Sequence, residues 1–348
     1  MTKLMPQKHR NTEFTQTVLH FLWRVLCFCV SVASVASAQS NLVFVSNETG
    51  HSLTVIDVDK RSVVATIPLG ERARGIKSSP DGKRIYVALS DNVPMIESAG
   101  DRIAVIDVAT RRVIARYRSG SDPEQFAVSP DGAFLYTSNE DAGQASATDL
   151  RTGKVVATVI VGIEPEGVGV SPDGRWAYVT AETSNSVSII DTRTRKVVQN
   201  LLVDIRPRSV AFAPNGARAY VTAEIGGSLT VIDVAKKEVL ETIELEGGQG
   251  KPVGVVVSPD NKTVYVANGR ANRVSVVDAA LGKVVASIPV GHRPWGIALS
   301  RDGKTLYTAN GLSDDVSVID VASRRVVATI AVGKRPWGVA LVENRTAR

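Results

Sequence analysis

The sequence predicts an all-β fold, a seven-bladed β-propeller of four-stranded antiparallel blades closed by a one-plus-three strand clasp, and three observations lead there. An aspartate landmark recurs at Asp57, Asp107, Asp149, Asp191, Asp233, Asp278 and Asp320, at steps of 50, 42, 42, 42, 45 and 42 residues. Valine- and isoleucine-rich segments of four to six residues fill each interval, and helical spacing never persists for two turns. The folded part opens on a second-strand sequence, Leu42–Ser46, and ends on a first-strand sequence, Trp337–Val342. A period near 42 built of short strands is the mark of a propeller blade. Seven blades close only if the last strand enters the first blade beside Leu42–Ser46, which removes the free edges of an open sheet.

One repeat is clearest from Val264 to Ser300. Its four strands, a to d, are exemplified by Gly167–Ser171 (a), Ala177–Ala181 (b), Val187–Asp191 (c) and Lys154–Val159 (d). Ser-Pro-Asp-Gly at 79–82, 129–132 and 171–174 joins a to b. The aspartate closes such a turn locally and the glycine accepts a positive φ. Pro214-Asn215-Gly216, Pro259-Asp260-Asn261 and Arg301-Asp302-Gly303 keep the same turn chemistry. The landmark aspartate ends strand c, and its carboxylate is expected to bind backbone N–H groups of the c–d turn, a structural role.

Residues 1–38 read as a secretory signal rather than part of the propeller, which is assigned to 39–348. Lys3, Lys8 and Arg10 precede an apolar or small stretch, Val25–Val35, and Ala36-Ser37-Ala38 fits a signal-peptidase site. Arg24 interrupts the apolar stretch, which is short for a membrane span of about 20 residues. A cleaved, periplasmic product without a membrane span is therefore expected. Both cysteines, Cys27 and Cys29, leave with the signal, excluding disulfides and thiolate chemistry from the mature chain. Cleavage also removes four basic residues and one acidic residue, lowering the formal net charge from +6 to +3. So modest a charge makes nucleic acid an unlikely partner.

Comparing the repeats with one another separates scaffold from candidate site. Strand direction places the d–a and b–c loops on one face and the two hairpins on the other. The hairpin face repeats monotonously, whereas the loop face varies. Each d–a loop enters strand a through an X-Pro-X step or its variant. Arg72, Asp122, Glu164, Arg206, Lys251, Arg293 and Arg335 stand before the Pro position; Arg74, Glu124, Glu166, Arg208, Val253, Trp295 and Trp337 follow it. Gly75, Gly167, Gly254, Gly296 and Gly338 then let the chain pass close to the axis. The result is an annulus with two acidic blades, a basic remainder and two adjacent tryptophan blades.

The candidate ligand- or partner-binding residues are Arg72, Arg74, Glu164, Glu166, Arg206, Arg208, Arg293, Trp295, Arg335 and Trp337. The b–c loops add Asn47, Glu48, Asn139, Glu140, Glu182, Glu224, Asn268 and Asn310. Glu182 and Glu224 are placed to pair with Arg208 or a neighbouring arginine, so a salt-bridge ring that merely orders the mouth is an equal alternative. Trp295 and Trp337 either form a flat, partly exposed aromatic surface or fill wedges between blades. Beside Arg293 and Arg335, an aromatic surface suits an anionic planar ligand or a protein hot spot. The largest insertion, Ser90–Asp101, leaves strand b and overhangs this face with Val93, Met95 and Ile96.

Other chemistry is disfavoured. After cleavage only His51 and His292 remain, and no heme-attachment Cys-x-x-Cys-His, nucleophile elbow, P-loop or dinucleotide fingerprint occurs. No metal site is assigned, although Glu164, Glu166 and Glu182 would approach a calcium set if Asp122 or Glu124 joined them. Catalysis by this acidic arc stays open without a decisive nucleophile or base.

The recurrent Tyr-Val-Thr-Ala and Tyr-Val-Ala-Asn strands, with Val-x-Val-Ile-Asp and Ser-Pro-Asp-Gly, resemble the bacterial YVTN-type β-propeller repeat family over essentially all of 41–342. NLVFVSNE at 41–48, RARGI at 72–76, IEPEGVGVS at 163–171, IRPRSVAF at 205–212 and RPWGIALS at 293–300 are most similar to the propellers associated with PQQ-dependent catabolism. The segment PMIESAG at 94–100 departs from that pattern. The resemblance implies a periplasmic protein associated with quinoprotein alcohol oxidation, with a quinoprotein dehydrogenase or periplasmic electron-transfer protein as partner. It implies neither a catalytic mechanism nor a resident cofactor. PQQ is a planar polyanion, so transient binding at Arg293, Arg335, Trp295 and Trp337 is chemically reasonable. A non-catalytic binding or adaptor protein is the expectation; a lactonase-like hydrolase using the acidic arc and a nonspecific nucleic-acid binder are the alternatives.

Overall fold

The computed structural model describes residues 1–2, 41–91 and 98–343. The rest of the predicted secretory segment with Cys27 and Cys29, the apolar residues Val93, Met95 and Ile96 of the insertion, and the tail 344–348 lie outside the described residues.

Seven four-stranded antiparallel sheets follow one another. Blade 1 combines Leu42–Asn47, Ser52–Asp57 and Ser62–Pro68 with the last strand, Pro336–Val342. The innermost strands of blades 2 to 7 are Arg72–Ser78, Pro123–Val128, Pro165–Val170, Pro207–Phe212, Pro252–Val257 and Pro294–Leu299. Each innermost strand touches those of both neighbouring blades, so the ring is closed. The expected clasp is present, with Leu42 opposite Val342, Phe44 opposite Ala340 and Ser46 opposite Gly338.

The packing follows from strand chemistry. Strands b and c are almost wholly buried; in Leu42–Asn47 and Ser186–Asp191 every residue is. Outer strands such as Arg112–Arg118 instead alternate exposed and half-buried residues, the pattern of a sheet edge that is wet on one side. At the centre of six of the seven a–b pairs an aromatic ring opposes a small or slim residue, as with Tyr136 and Ala127, Tyr178 and Gly169, or Phe44 and Ala340, while in blade 2 Tyr86 opposes Lys77. That pairing lets inner strands converge on the axis while the rings fill the wedge between blades. Every c–d pair carries a register shift near its start, for example between Ile189 and Ile190. Bulges of this kind increase the local twist that a blade needs.

The two hairpins behave as the sequence predicts. Asp81 accepts hydrogen bonds from Ser79 Oγ (2.6 Å) and the Lys83 N–H (3.0 Å), and the geometry repeats at Asp131, Asp173, Asp260 and Asp302. Each landmark aspartate accepts from backbone N–H groups of its c–d turn, for example Thr194 to Asp191 (3.0 Å) and Ser323 to Asp320 (2.7 Å). These backbone bonds hold the carboxylates of Asp57, Asp149 and Asp191 below the ordinary range, and at Asp107 and Asp320 the Thr110 and Ser323 hydroxyls do so first, with the backbone bonds adding to them.

Candidate binding face around the axis

Six of the seven residues before the Pro position adopt a left-handed backbone: Asp122, Glu164, Arg206, Lys251, Arg293 and Arg335, with φ between 37° and 63°. Only Arg72, followed by Ala73 instead of proline, escapes it. A non-glycine residue there is strained by about 1–3 kcal/mol, and one repeated hydrogen bond holds it. The carbonyl of each accepts an N–H from the adjoining b–c loop: Glu140 to Asp122 (3.1 Å), Glu182 to Glu164 (2.9 Å), Glu224 to Arg206 (2.8 Å), Gly269 to Lys251, Gly311 to Arg293 and Glu48 to Arg335 (2.9 Å each). The two loop sets that form the variable face are thereby fastened together in every such blade. Sequence reading missed this, because nothing in an X-Pro step reveals a carbonyl caught from the adjoining loop.

The glycines behind the mouth have their expected role. A Cβ on Gly167 would lie 2.3 Å from the Arg208 carbonyl oxygen, and one on Gly296 would lie 2.6 Å from that of Trp337. Neighbouring inner strands approach each other more closely than a side chain allows.

The residues after the Pro position face one another around a cavity of about 270 Å³, which Arg74, Glu124, Glu166, Arg208, Trp295 and Trp337 all help to line. On the side of blades 2 to 5, every mouth arginine meets carboxylates. Arg72 pairs with Asp122 (3.1 Å). Arg74 reaches Glu48 (3.3 Å), Glu140 (3.4 Å) and Glu124. Arg208 contacts Glu166 (3.0 Å), Glu182 and Glu224 (3.7 Å), while Arg206 holds Glu182 (2.6 Å) and Glu224 (3.5 Å). The expected pairing of Glu182 and Glu224 with Arg208 is therefore present, and the salt-bridge reading describes this side of the mouth.

Glu164 stands apart from that network. It is exposed and accepts a hydrogen bond from Thr183 Oγ1, so it does not join Glu166 and Glu182 as a calcium set would require. The carboxylates that do converge are Asp122, Glu124 and Glu140, with one oxygen from each within 4.8 Å of the others. Arg72 and Arg74 already offset their charge. Within this group Glu140 is raised to about 7, first by burial and then by the charge of Glu166, with Arg74 opposing.

Where the chain enters blades 7 and 1 the chemistry changes. Among the described residues neither Arg293 nor Arg335 pairs with a carboxylate, and Arg335 is exposed. The Arg293 and Arg208 guanidinium carbons lie 4.8 Å and 5.0 Å from the Trp295 ring centre, so both cations attend the same indole. The two indoles are 6.2 Å apart and inclined at 45°, and Trp337 is only 7% exposed. They do not make the flat aromatic surface that adjacent positions suggested. Trp337 largely fills the inter-blade wedge, and Trp295 remains half-buried with its Nε1–H buried and without an acceptor.

Below the mouth the axis narrows to a space of about 60 Å³ that both tryptophans and Lys77 line. Lys77 sits where the other six inner strands carry Ala127, Gly169, Ala211, Val256, Ala298 and Ala340. Its side chain meets channel solvent but is surrounded by protein, and the lost hydration lowers the pKa of its amine. Sequence reading overlooked Lys77, although comparing the seven inner strands position by position exposes it.

Comparison with known proteins agrees with the architecture. The YNCE-like beta-propeller family matches residues 254–347, and the Cytochrome D1 heme domain family matches residues 87–208. The latter stretch contains neither histidine nor cysteine, two of the residue types that hold haem iron. No curated protein matches the sequence. Among solved structures, hydrazine synthase of Kuenenia stuttgartiensis is 25% identical, with TM-score 0.72, covering 80% of this chain and 92% of that one. A functionally unknown protein of Desulfotomaculum acetoxidans DSM 771 is 19% identical, with TM-score 0.74 and coverage of 87% and 99%. A protein of Bacteroides uniformis ATCC 8492, provisionally described as a 6-phosphogluconolactonase, is 18% identical, with TM-score 0.71 and coverage of 87% and 100%. The chain is a seven-bladed β-propeller protein whose last blades match the YNCE-like beta-propellers.

Proposed function

We propose that this propeller is a non-catalytic periplasmic binding protein that docks a partner protein of a PQQ-linked alcohol-oxidation system on its loop face. The observation that carries the reading is a row of exposed aliphatic side chains at the loop end of blades 3 to 5. Ile160 and Leu202, at the ends of outer strands, are 80% and 79% exposed, and Ile163, Ile205 and Ile225 on the adjoining loops are also exposed. The Gly226 N–H donates to the Ile205 carbonyl (3.0 Å), which draws two of these loops together. Exposed apolar groups gathered at one end mark an interaction surface. Arg293 and Arg335, without carboxylate partners, supply cations across the mouth for acidic groups of the same partner.

The link to PQQ chemistry rests on the sequence resemblance. Four of its segments, 72–76, 163–171, 205–212 and 293–300, include the inner-strand entries that build the mouth. PQQ stacked across both indoles does not fit their 45° inclination and the burial of Trp337. The partner in this reading is a quinoprotein dehydrogenase or the periplasmic electron carrier that reoxidises it. Titrating the purified dehydrogenase and its cytochrome acceptor onto the immobilised propeller tests it. Micromolar binding that an Ile163→Asp/Ile205→Asp variant loses supports the reading; no binding of either protein at tens of micromolar overturns it.

A hydrolase of the lactonase type has one observation in its favour, the Glu140 carboxyl near neutrality beside a mouth cavity, the setting of a general base. Lactone turnover by the wild type that disappears in Glu140→Gln, with folding intact, would favour this second reading.

A further inference from the structure

A groove of about 680 Å³ runs along the loops of blades 6 and 7, separated from the mouth by Trp295, which lines both. Its walls carry Lys251, Arg270, His292 and Arg293. Glu224 is its one carboxylate, and that group already faces Arg206 and Arg208. The corresponding positions of blades 3 and 4 hold Asp122, Asp141, Ile163 and Glu164, so the charge of this region reverses across the ring.

We propose that this groove is a second binding site, for a small amphipathic dianion: an apolar body bearing one phosphate or two carboxylates. Its volume lies within the range of about 300–1,000 Å³ usual for small-molecule sites. Val253, Leu312 and the Trp295 ring supply apolar wall, against which a fully polar ion would gain nothing. The cations stand on fastened backbone. Lys251 and Arg293 are held in left-handed conformations by the Gly269 and Gly311 N–H groups. The Arg293 N–H donates to Asn272 Oδ1 (2.8 Å), and the Arg270 N–H donates to the Gly250 carbonyl (3.1 Å). A site pre-organised in this way loses less freedom when a ligand arrives. The Trp295 Nε1–H, buried without an acceptor, adds an unmet donor at the wall shared with the mouth.

This inference goes beyond partner docking and shares Arg293 with it, but its test variants at Lys251 and Arg270 lie outside the aliphatic row, so the two fail independently. Phenyl phosphate and benzene-1,3-dicarboxylate are the probes, with benzyl alcohol as the uncharged control, titrated by calorimetry and tryptophan fluorescence at pH 7.5 in low salt. At least one dianion is expected to bind with a submillimolar Kd, and the stronger of the two identifies the anionic group. Lys251→Gln/Arg270→Gln should weaken it at least about tenfold, since two charge-assisted contacts are lost. Arg270→Glu, on an exposed loop, should weaken it likewise should the double variant not fold. Arg335→Ala, which touches only the mouth, should leave the affinity unchanged. The proposal is overturned by dianions that bind no better than benzyl alcohol, or by wild-type affinity in Arg270→Glu.

Discussion

Arg208 and Arg293 stand two residues from equivalent places in the ring, on either side of the Pro position, and both lie about 5 Å from the Trp295 ring, yet they live in different chemistry. Arg208 is nearly inaccessible and is surrounded by Glu166, Glu182 and Glu224. Arg293 has the indole on one side and two cavities on the other, with no carboxylate among the described residues. The same split runs through the whole mouth. Blades 2 to 5 spend their arginines on internal neutralisation, whereas blades 7 and 1 leave theirs available. A repeated scaffold thus carries two kinds of arginine, structural on one arc and free to bind on the other, and sequence position alone does not tell them apart.

The sharpest way to break this comparison is to remove each arginine. Arg208→Ala leaves three carboxylates facing one another in a largely buried site, and removing one partner of a buried charge network costs about 3–5 kcal/mol. Urea unfolding should show a loss of that order. A loss below about 1 kcal/mol would place Arg208 with the surface pairs and dissolve the distinction.

Next in size is a control that should not distinguish the arcs. Gly167→Ala in the acidic arc and Gly296→Ala in the tryptophan arc both press a Cβ on the next blade's carbonyl, at 2.3 and 2.6 Å. Overpacking of this kind costs about 1–3 kcal/mol, occasionally more. Similar melting losses for both variants would confirm that the backbone ring is uniform while its chemistry is not.

The acidic arc should also carry a pH signature. Glu140 is raised from 4.5 to about 7, so between those values the folded protein holds a proton that the unfolded chain has released. Stability contributed by that proton is complete below about pH 4.5, falls as pH rises towards 7 and is gone above it. Glu140→Gln should therefore be more stable than wild type at pH 8, by on the order of 1–3 kcal/mol, and should lose that slope. Thermal melts at pH 5 and pH 8 check the sign. A wild type that gains stability across this interval relative to the variant would contradict the burial of this carboxyl.

How much of this was legible in the sequence depends on the distance over which each feature is determined. The landmark aspartates and the Ser-Pro-Asp-Gly turns close hydrogen bonds within two to five residues, so their roles could be read directly. The clasp was legible too, because a chain that starts on strand b and ends on strand a has one way to complete its first sheet. The arginine partners were not. Arg74 meets Glu48, Glu124 and Glu140, which lie on blades 1 and 3, and only the closed ring decides which of several nearby carboxylates it reaches. The left-handed pre-proline residues were hidden for the same reason, since the N–H that holds each one belongs to another loop. The tilt of Trp295 against Trp337 depends on rotamers that adjacency in the ring does not set.

The smallest expected effect completes the comparison. Arg293→Ala removes a guanidinium that contacts an aromatic face and no carboxylate, so stability should change by no more than about 1 kcal/mol, the worth of an exposed cation–π contact. The left-handed φ of 54° bears on that substitution, because alanine disfavours that conformation even though the Gly311 N–H and Asn272 still hold the backbone. Arg293→Asn avoids the complication, since asparagine tolerates that conformation. Arg293→Asn should unfold with Arg293→Ala or slightly later, while both lose affinity for an anionic probe. If Arg293→Asn instead destabilises the protein as much as Arg208→Ala does, the guanidinium is structural and the mouth has no free arc. Stability retained with anion affinity lost would leave Arg293 as a binding residue on a scaffold that does not need it.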